Sequence, residues 1–352
     1  MRPVLKPGLR RLWRDGSTLQ LGVDPSRALV LPGVTPGHLT ALDALDGSRP
    51  GARADEPTAA LIGLLGAAGL LDDAPDESDE PRLPALDRDR LRPDLAALAL
   101  AAARPGAANR ALARRHRARV RVRGAGRVGA QVVTLLAAAG VGHVVVDDAG
   151  LAGPADLSPG GLGLDAIGRP RALAATAALG RITRPAPAPA VAGPFRPDLL
   201  VLAPVGPPVL RPDESLELAG AGVPHLLAGV RETTGVIGPL VLPGRTSCLH
   251  CQHLRRYAAD AAWPLLALQL ARRAEHGPDA CDVTLAAQVS ALAAAQALAF
   301  LDAGAAGDPP PATAEGTLEI ASPDWRVRRR SWRPHPDCPC GAAAGAPPPT
   351  HP

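Results

Sequence analysis

Two close pairs of cysteines are the strongest candidates for metal-binding chemistry in the sequence. Cys248 and Cys251 form a C-x-x-C pair, and Cys338 and Cys340 form a C-x-C pair. Thiolates in two such pairs suit a tetrahedral zinc ion that has no open coordination position. We therefore predict a structural zinc site, at which His335 could replace one thiolate. A redox role for the C-x-x-C pair is the alternative, although a redox pair opens a helix after a strand and has no second pair beside it.

The remaining cysteine and the apolar segments indicate the compartment. Cys281 precedes an apolar segment and is predicted to be a small core residue. An odd number of cysteines, together with an N-terminus that has no apolar run, predicts a reducing, cytoplasmic environment. The longest apolar stretch, residues 285–301, is interrupted by Gln288, Ser290 and Gln296. We predict a buried helix there and no contact with a membrane.

A glycine-rich segment has the residue types that a nucleotide site needs. Gly124, Gly126 and Gly129 form a G-x-G-x-x-G pattern, and Asp147 lies 23 residues after the first glycine. Such glycines let phosphates approach the amides at the start of the next helix, and an acid at this distance accepts hydrogen bonds from ribose hydroxyls. We predict a nucleotide site. The same pattern would suit an NAD-dependent oxidoreductase, or glycines that only let a helix and a strand pack together.

The elements around these residues predict an α/β fold. Residues 119–123 alternate as in a strand, an apolar helix follows the glycines, and a second strand at residues 141–146 ends at Asp147. Further strands are predicted at 198–202, 223–228, 317–320 and 325–329. A β-α-β unit followed by more alternating elements indicates a Rossmann-like, mostly parallel sheet.

Shifts in composition divide the chain into four predicted segments. Residues 1–71 combine short strands with helices in a small α+β module. Residues 72–118 comprise an acidic linker, D-D-A-P-D-E-S-D-E-P, followed by helices. Residues 119–340 form the Rossmann-like domain with the zinc site, and residues 341–352 form a disordered tail.

The overall composition excludes several classes of function. The chain has 352 residues, of which 46% are hydrophobic, and a formal charge of +4, so it can bury a core and wholesale disorder is excluded. Aromatic residues make up 2%, too few for a base-stacking surface, and we expect no nucleic-acid partner. Two arginine runs, at residues 110–123 and 326–333, would suit nucleic acid or an acidic peptide. Solvated faces of a helix and of edge strands are the favoured interpretation.

Short phrases around the glycine loop carry a resemblance. They are A-G-V-G at residues 139–142, the strand ending at Asp147, and G-R-P-R at residues 168–171. Together they resemble the ThiF family, the adenylyltransferases related to ubiquitin-activating enzymes, whose corresponding segment is Gly-x-Pro-Lys. The resemblance implies a homodimer, a zinc site with a distal cysteine pair, and an ATP site. In that site Arg127 would be the glycine-loop arginine and Arg171 would replace the lysine.

Phrases outside the nucleotide-binding segment resemble one branch more closely. They are L-K-P-G-L at residues 5–9, L-D-G at 45–47, G-P-L-V-L-P-G at 238–244 and A-W-P at 262–264. They resemble the cyclodehydratase C-proteins, which bind leader peptides in the biosynthesis of thiazole/oxazole-modified peptides. The resemblance implies that residues 1–71 are a winged-helix-like module that binds a peptide or a small carrier protein, and that a cyclodehydratase is the partner.

The sequence departs from the adenylating pattern at three places. The family's Asn-Leu-x-Arg-Gln segment corresponds to D-L-S-P-G at residues 156–160, Arg171 replaces a lysine, and residues 202–206 lack the aspartate that holds magnesium. Stabilisation of charge at the α-phosphate would supply most of the catalytic effect. We therefore assign no catalytic residue and predict a non-adenylating protein that binds a leader peptide and presents it to a cyclodehydratase. The alternatives are an active ATP-dependent adenylyltransferase of the ubiquitin-like modifier or sulfur-carrier activating type and, less favoured, an NAD-dependent oxidoreductase.

Overall fold

A computed structural model of the chain describes residues 2–48, 56–74, 83–183, 195–272, 279–303 and 308–345. The chain divides into two compact units, Met1–His116 and Arg117–Pro352. Each unit has a hydrophobic core of its own.

The first unit is a small α+β fold. Its strands are β1 (Pro3–Leu5), β2 (Arg11–Trp13), β3 (Leu19–Leu21), β4 (Leu29–Leu31) and β5 (Leu71–Asp73). Its helices are α1 (Pro36–Asp43), α2 (Glu56–Ala67), α3 (Ala85–Ala101) and α4 (Ala107–Arg117). The antiparallel sheet has the order β2-β3-β4, and β1 pairs separately with β5. Apolar residues alternate along β3 and recur on α1 and α2, so that leucines fill the core, among them Leu19, Leu21, Leu42 and Leu65.

The boundaries of two predicted segments differ in the structure. Asp72 and Asp73 belong to β5 and not to a linker, because they pair with β1, while residues 75–82 lie outside the described residues. Helices α3 and α4, which we place in a connecting segment from the sequence, are grouped with the first unit. At the C-terminus, Ala342–Gly345 forms a 3₁₀ helix in which Ala342 is buried, so these residues are not a disordered tail. Residues 346–352 lie outside the described residues.

The second unit contains a seven-stranded sheet. Its strands are β6 (Arg119–Arg123), β7 (His143–Asp147), β8 (Leu199–Leu202), β9 (His225–Arg231), β10 (Thr234–Val241), β11 (Gly316–Ala321) and β12 (Val327–Ser331). Its helices are α5 (Gly129–Ala138), α6 (Arg171–Leu179), α7 (Pro212–Gly220), α8 (Leu249–Ala259), α9 (Trp263–Leu270) and α10 (Val283–Asp302).

The strands of this sheet have the order β12-β11-β10-β9-β8-β6-β7. The pairs β6–β7, β6–β8 and β8–β9 are parallel, whereas β10, β11 and β12 each pair antiparallel with the preceding strand. Only β10 and β12 therefore run against the common direction, and the prediction of a Rossmann-like, mostly parallel sheet is confirmed. Because Arg123 lies in register with Asp147 and Leu202, the segments after β6, β7 and β8 meet at one edge of the sheet.

Helix α10 is the buried helix that we predict from the apolar stretch. By length and composition it is able to cross a membrane. It packs against α5, β9 and β10, and Leu285, Val289 and Ala293 lie in the core. Within the described residues it is a core helix.

The first arginine run does not lie on an edge strand, which corrects the expectation for residues 119–123. β6 lies between β7 and β8, so Val120 and Val122 are buried in the core. On its other face Arg119 and Arg121 cover the ring of Phe195 at 4.5 and 5.5 Å. The second run lies on β12, at the edge of the sheet, as expected.

Candidate functional site

The glycine loop connects β6 to α5 at the carboxyl edge of the parallel strands. Gly124 has a φ of +96°, and a Cβ there would collide with the carbonyl oxygen of Ala203. A Cβ at Gly129 would collide with the carbonyl oxygen of Gly124. Gly126 instead faces a cavity of about 290 Å³. Two of the glycines therefore permit close backbone packing, and the third lines the cavity, where its Cβ position is 3.0 Å from Cγ2 of Val205.

Asp147 ends β7 next to the loop. Its carbonyl oxygen accepts the Gly124 amide at 2.8 Å, and its carboxylate is 54% exposed, with Oδ2 3.8 Å from Nε of Arg123. Arg123 also pairs with Glu214 at 3.1 Å. Asp147, Gly124 and Arg171 together line a larger cavity of about 750 Å³. The Asp147 carboxylate is thus accessible to a ribose in that cavity.

Arg171, which stands at the position of the family's lysine, is buried and already paired. Its Nε lies 3.1 and 3.0 Å from the two carboxylate oxygens of Asp148, and its Nη1 lies 3.3 Å from Oδ2 of Asp156. Nη1 also donates to the carbonyl oxygen of Leu151 at 3.0 Å. Burial lowers the pKa of Arg171, but the hydrogen bonds and charges of Asp148 and Asp156 outweigh it and raise the pKa above the usual range. The guanidinium is therefore fully charged and neutralised by protein carboxylates.

Asp148 also occupies part of the anion-binding surface of the glycine loop. Its Oδ2 accepts the Ala125 amide at 2.8 Å, and its Oδ1 accepts the Gly150 amide at 2.7 Å. Amides at the start of a helix attract anions, and here a protein carboxylate takes one of them. Asp148 and Asp156 share one guanidinium, so these three side chains together carry a net charge of −1, while Arg127 and Arg123 line the adjoining cavities.

The segment after β8 supplies no ligand for magnesium. Ala203, Pro204 and Val205 follow the strand and line the smaller cavity. The carboxylates that line this cavity are Asp156, which is held by Arg171, and Asp279. Four further carboxylates line the larger cavity, those of Asp147, Asp148, Glu214 and Glu217.

Arg127 faces the smaller cavity and is separate from the group around Asp147. Its Nη1 donates to the carbonyl oxygen of Cys281 at 2.7 Å. Cys281 itself is partly buried and packs against the main core. Burial raises the pKa of its thiol. Arg127 is thus engaged by a backbone oxygen.

The four paired cysteines meet in one cluster. Cys248 caps the start of α8, Cys251 lies in its first turn, and Cys338 and Cys340 come from the segment after β12. The Sγ atom of Cys248 lies 3.7 Å from that of Cys251 and 3.6 Å from that of Cys338. The Sγ atom of Cys251 lies 3.6 Å from that of Cys340. Four thiolates around zinc at about 2.3 Å would be about 3.8 Å apart. The cluster therefore fits a metal such as zinc.

The surroundings of the cluster favour a thiolate at Cys251. A hydrogen bond from Cys248 lowers the pKa of Cys251 to about 4, and burial raises the pKa of Cys338 to about 12. The backbone amide of His335 donates to Sγ of Cys251 at 3.4 Å, while the His335 ring accepts from the Asp337 amide at 3.2 Å. Within the described residues the ring of His335 is not part of the group that could bind the metal.

Sequence reasoning missed the partners of Arg171. Asp148 directly follows Asp147, and Asp156 stands where the resembled family has asparagine. The signal for Asp148 was the second of two adjacent acids. For Asp156 the signal was a carboxylate in place of the family's asparagine, in a chain that also has a cation at position 171.

Part of the sequence matches a known protein family. Residues 100–197 match the model of the ThiF family. This segment contains the glycine loop, Asp147 and Arg171, so the chain carries a ThiF-family domain. No curated protein matches the sequence.

Solved structures extend the likeness to both units. Escherichia coli MccB solved with ATP has a TM-score of 0.67 at 16% identity, covering 96% of this chain and 99% of that chain. Escherichia coli MccB solved with AMPCPP and MccA has a TM-score of 0.68 at 16% identity, covering 97% and 99%. PaaA has a TM-score of 0.63 at 15% identity, covering 92% and 98%. At these identities the likeness establishes the fold.

Proposed function

We propose that this protein binds the leader of a precursor peptide without adenylating it and presents the peptide to a partner cyclodehydratase. The observation that carries the proposal is the state of Arg171. The cation that an adenylating site would aim at the phosphates is buried between Asp148 and Asp156. Binding that does not stabilise the charge of the transition state does not accelerate the reaction.

The remaining contacts suit an adenine nucleoside. The Asp147 carboxylate is accessible in the larger cavity, and Gly126 lines the smaller one. MccB has been solved with ATP, and this favours an adenine nucleotide over NAD as the occupant. A nucleoside bound here would stabilise the fold without reacting.

The edge of the small sheet in the first unit supports peptide binding by strand addition. The Gly22 amide donates to the Arg10 carbonyl, and the Arg14 amide donates to the Thr18 carbonyl. These bonds and the register show which main-chain groups of β3 bond to β2. Because such bonds alternate along a strand, the N–H and C=O groups of Leu19 and Leu21 point toward β4. In β4 the main chain of Val30 therefore points away from β3, and its side chain is 39% exposed. A peptide strand would pair with this edge, as in other β-augmentation sites.

A proline scan of the sheet edges tests peptide binding. Val30→Pro removes an outward amide without touching a β3–β4 hydrogen bond, and we expect it to abolish binding of a fluorescent leader of the precursor peptide, measured without ATP. Trp13→Pro on β2 is the matched control, because the Trp13 main chain also points outward but at the opposite edge, where Arg11 reaches across to the end of α1. Equal loss in both variants, or no loss in Val30→Pro, would reject binding at β4.

The second candidate is an active adenylyltransferase that acts on a peptide or small carrier protein. The extent of the fold shared with MccB, which has been solved with ATP, favours it. Pyrophosphate exchange into ATP with the precursor peptide distinguishes the two functions. We expect none above background; exchange that is lost in Asp147→Ala and in Arg171→Ala would establish the second candidate.

We further propose that the cysteine cluster holds structural zinc and that the protein is a cytoplasmic homodimer. The thiol separations and the amide of His335 that donates to Cys251 support the metal. Elemental analysis of the purified chain tests zinc, and sedimentation equilibrium tests the dimer. One zinc per chain and twice the monomer mass are expected.

A further inference from the structure

The outer edge of the seven-stranded sheet has unpaired main-chain groups. β12 pairs with β11 only, within the described residues. The Trp332 amide donates to the Glu315 carbonyl at 2.7 Å, and the register continues from Gly316 opposite Ser331 to Ile320 opposite Val327. In an antiparallel ladder hydrogen-bonded and non-bonded pairs alternate. The N–H and C=O groups of Val327, Arg329 and Ser331 therefore point away from the sheet.

The arginine that could guard this edge is folded away from it. Charged side chains on edge strands discourage pairing when they extend past the edge. Arg329 instead lies over Gly316, and its guanidinium donates to the carbonyl oxygens of Ala312 and Ala314 at 2.8 and 3.0 Å. It also donates to Oγ of Ser331 at 2.7 Å. Arg329 is thus bound to the segment before β11 and to its own strand, and the edge is open.

The other face of the strand is strongly basic. Arg328 and Arg330 lie two residues apart on this face, with side chains 74% and 60% exposed. Their partners are weak: Asp324 lies 3.4 Å from Arg328, and Glu319 lies 3.9 Å from Arg330. Surface pairs of this kind contribute little stability and are readily exchanged. The arginines are therefore available to other carboxylates.

Further cations lie behind Arg330. Arg330 and Arg256 both lie over the ring of Trp332, at 5.3 and 5.5 Å. Burial and the nearby charges of Arg231 and Arg330 lower the pKa of Arg256 to about 10, against the opposing effect of Glu319. Positive charge exceeds negative charge on this face, and an acidic ligand would relieve the repulsion.

We propose that β12 is a docking edge for an extended, acidic segment of a partner protein, which adds to the sheet as an eighth strand. Its main chain would pair with Val327, Arg329 and Ser331. Its acidic side chains, two residues apart, would face Arg328 and Arg330. A second copy of this chain does not fit, because pairing β12 with β12 would place arginine opposite arginine. The site is separate from the nucleotide cavities and does not depend on the proposed function.

A fluorescent octapeptide of alternating glutamate and threonine tests the proposal by anisotropy with the full chain. We expect saturable binding that weakens by at least about tenfold in Arg328→Glu/Arg330→Glu. The control Arg169→Glu/Arg245→Glu, which makes the same charge change at exposed arginines elsewhere in the second unit, should bind normally. Far-UV circular dichroism of both variants checks that they fold.

Modified peptides separate strand addition from attraction of charge alone. N-methylation of alternate residues blocks main-chain pairing and keeps the charge, and we expect it to weaken binding by at least about tenfold; replacing glutamate by lysine should abolish it. Equal binding of the methylated and plain peptides, equal loss in both charge variants, or no binding at millimolar peptide would overturn the proposal. In the last case the arginines only guard the edge.

Discussion

Replacing Arg171 by alanine should destabilise the second unit by about 3 kcal/mol. The change removes the one cation between two carboxylates whose side chains are 5% and 12% exposed, those of Asp148 and Asp156. Both carboxylates would remain buried without the charge that neutralises them. The raised pKa of Arg171 means that its guanidinium stays charged at neutral pH.

The magnitude follows from the hydrogen bonds that survive. Breaking a buried ion pair by removing one partner costs about 3–5 kcal/mol. Asp148 keeps the amides of Ala125 and Gly150, and Asp156 keeps the amide of Gly153 at 2.9 Å. These contacts place the cost at the lower end of the range. Arg171→Lys keeps the charge but not the forked geometry, and should cost about half as much.

Urea unfolding followed by tryptophan fluorescence measures the loss, because Trp263, Trp325 and Trp332 all lie in the second unit. Arg169→Ala is the matched control. Arg169 is exposed at a neighbouring position, and its removal should change the free energy of unfolding by less than about 0.5 kcal/mol. If Arg171→Ala unfolded within that margin of the wild type, the buried ion pairs would not exist as described.

Two further predictions concern buried groups elsewhere in this unit. Cys248→Ser should reduce bound zinc below one per chain and destabilise the second unit, because metal binding is coupled to folding. Elemental analysis measures the zinc, and the same unfolding assay measures the stability. Full zinc occupancy in the variant would contradict the role of Cys248 as a ligand. His225 is fully buried, and burial lowers its pKa below 6.5. Above about pH 6.5 His225 is neutral in both states and does not reduce the free energy of unfolding. As the pH falls from 6.5 toward the pKa of His225 in the folded protein, the free energy of unfolding decreases, because only the unfolded state takes up the proton. In unfolding experiments from pH 7 to pH 5, His225→Gln should flatten this decline, and an unchanged decline would contradict the assignment.

The fold was largely predictable because its strongest elements have clear local patterns. Residues 119–147 contain alternating strands, a glycine turn and an apolar helix, and the structure has β6, α5 and β7 there. The antiparallel strand β10 was missed, because it is buried from Gly235 to Val241 and contains Gly238 and Pro239, which indicate a turn in a sequence. The position of β6 inside the sheet was also hidden, since its alternating arginines are typical of an edge.

The position of the glycine loop in the candidate site was predictable from the sequence, whereas the ion pairs around it were not. The spacing of Gly124 and Asp147 identified the loop and the adjoining carboxylate. The ion pairs of Arg171 join residues 15 and 23 positions apart, and nothing local in the sequence shows which carboxylate reaches the guanidinium. Cysteine pairs were predictable as a cluster because few arrangements other than a metal site place four thiols together.

The binding of two ligands tests most directly the proposal that the site does not hold a triphosphate productively. Isothermal titration calorimetry of the full chain with adenosine and with ATP and magnesium gives the two dissociation constants. Because Arg171 is held by Asp148 and Asp156 and one loop amide is taken by Asp148, we expect ATP to bind no more tightly than adenosine. ATP binding at least about tenfold tighter than adenosine, with the gain lost in Arg171→Ala, would contradict the account.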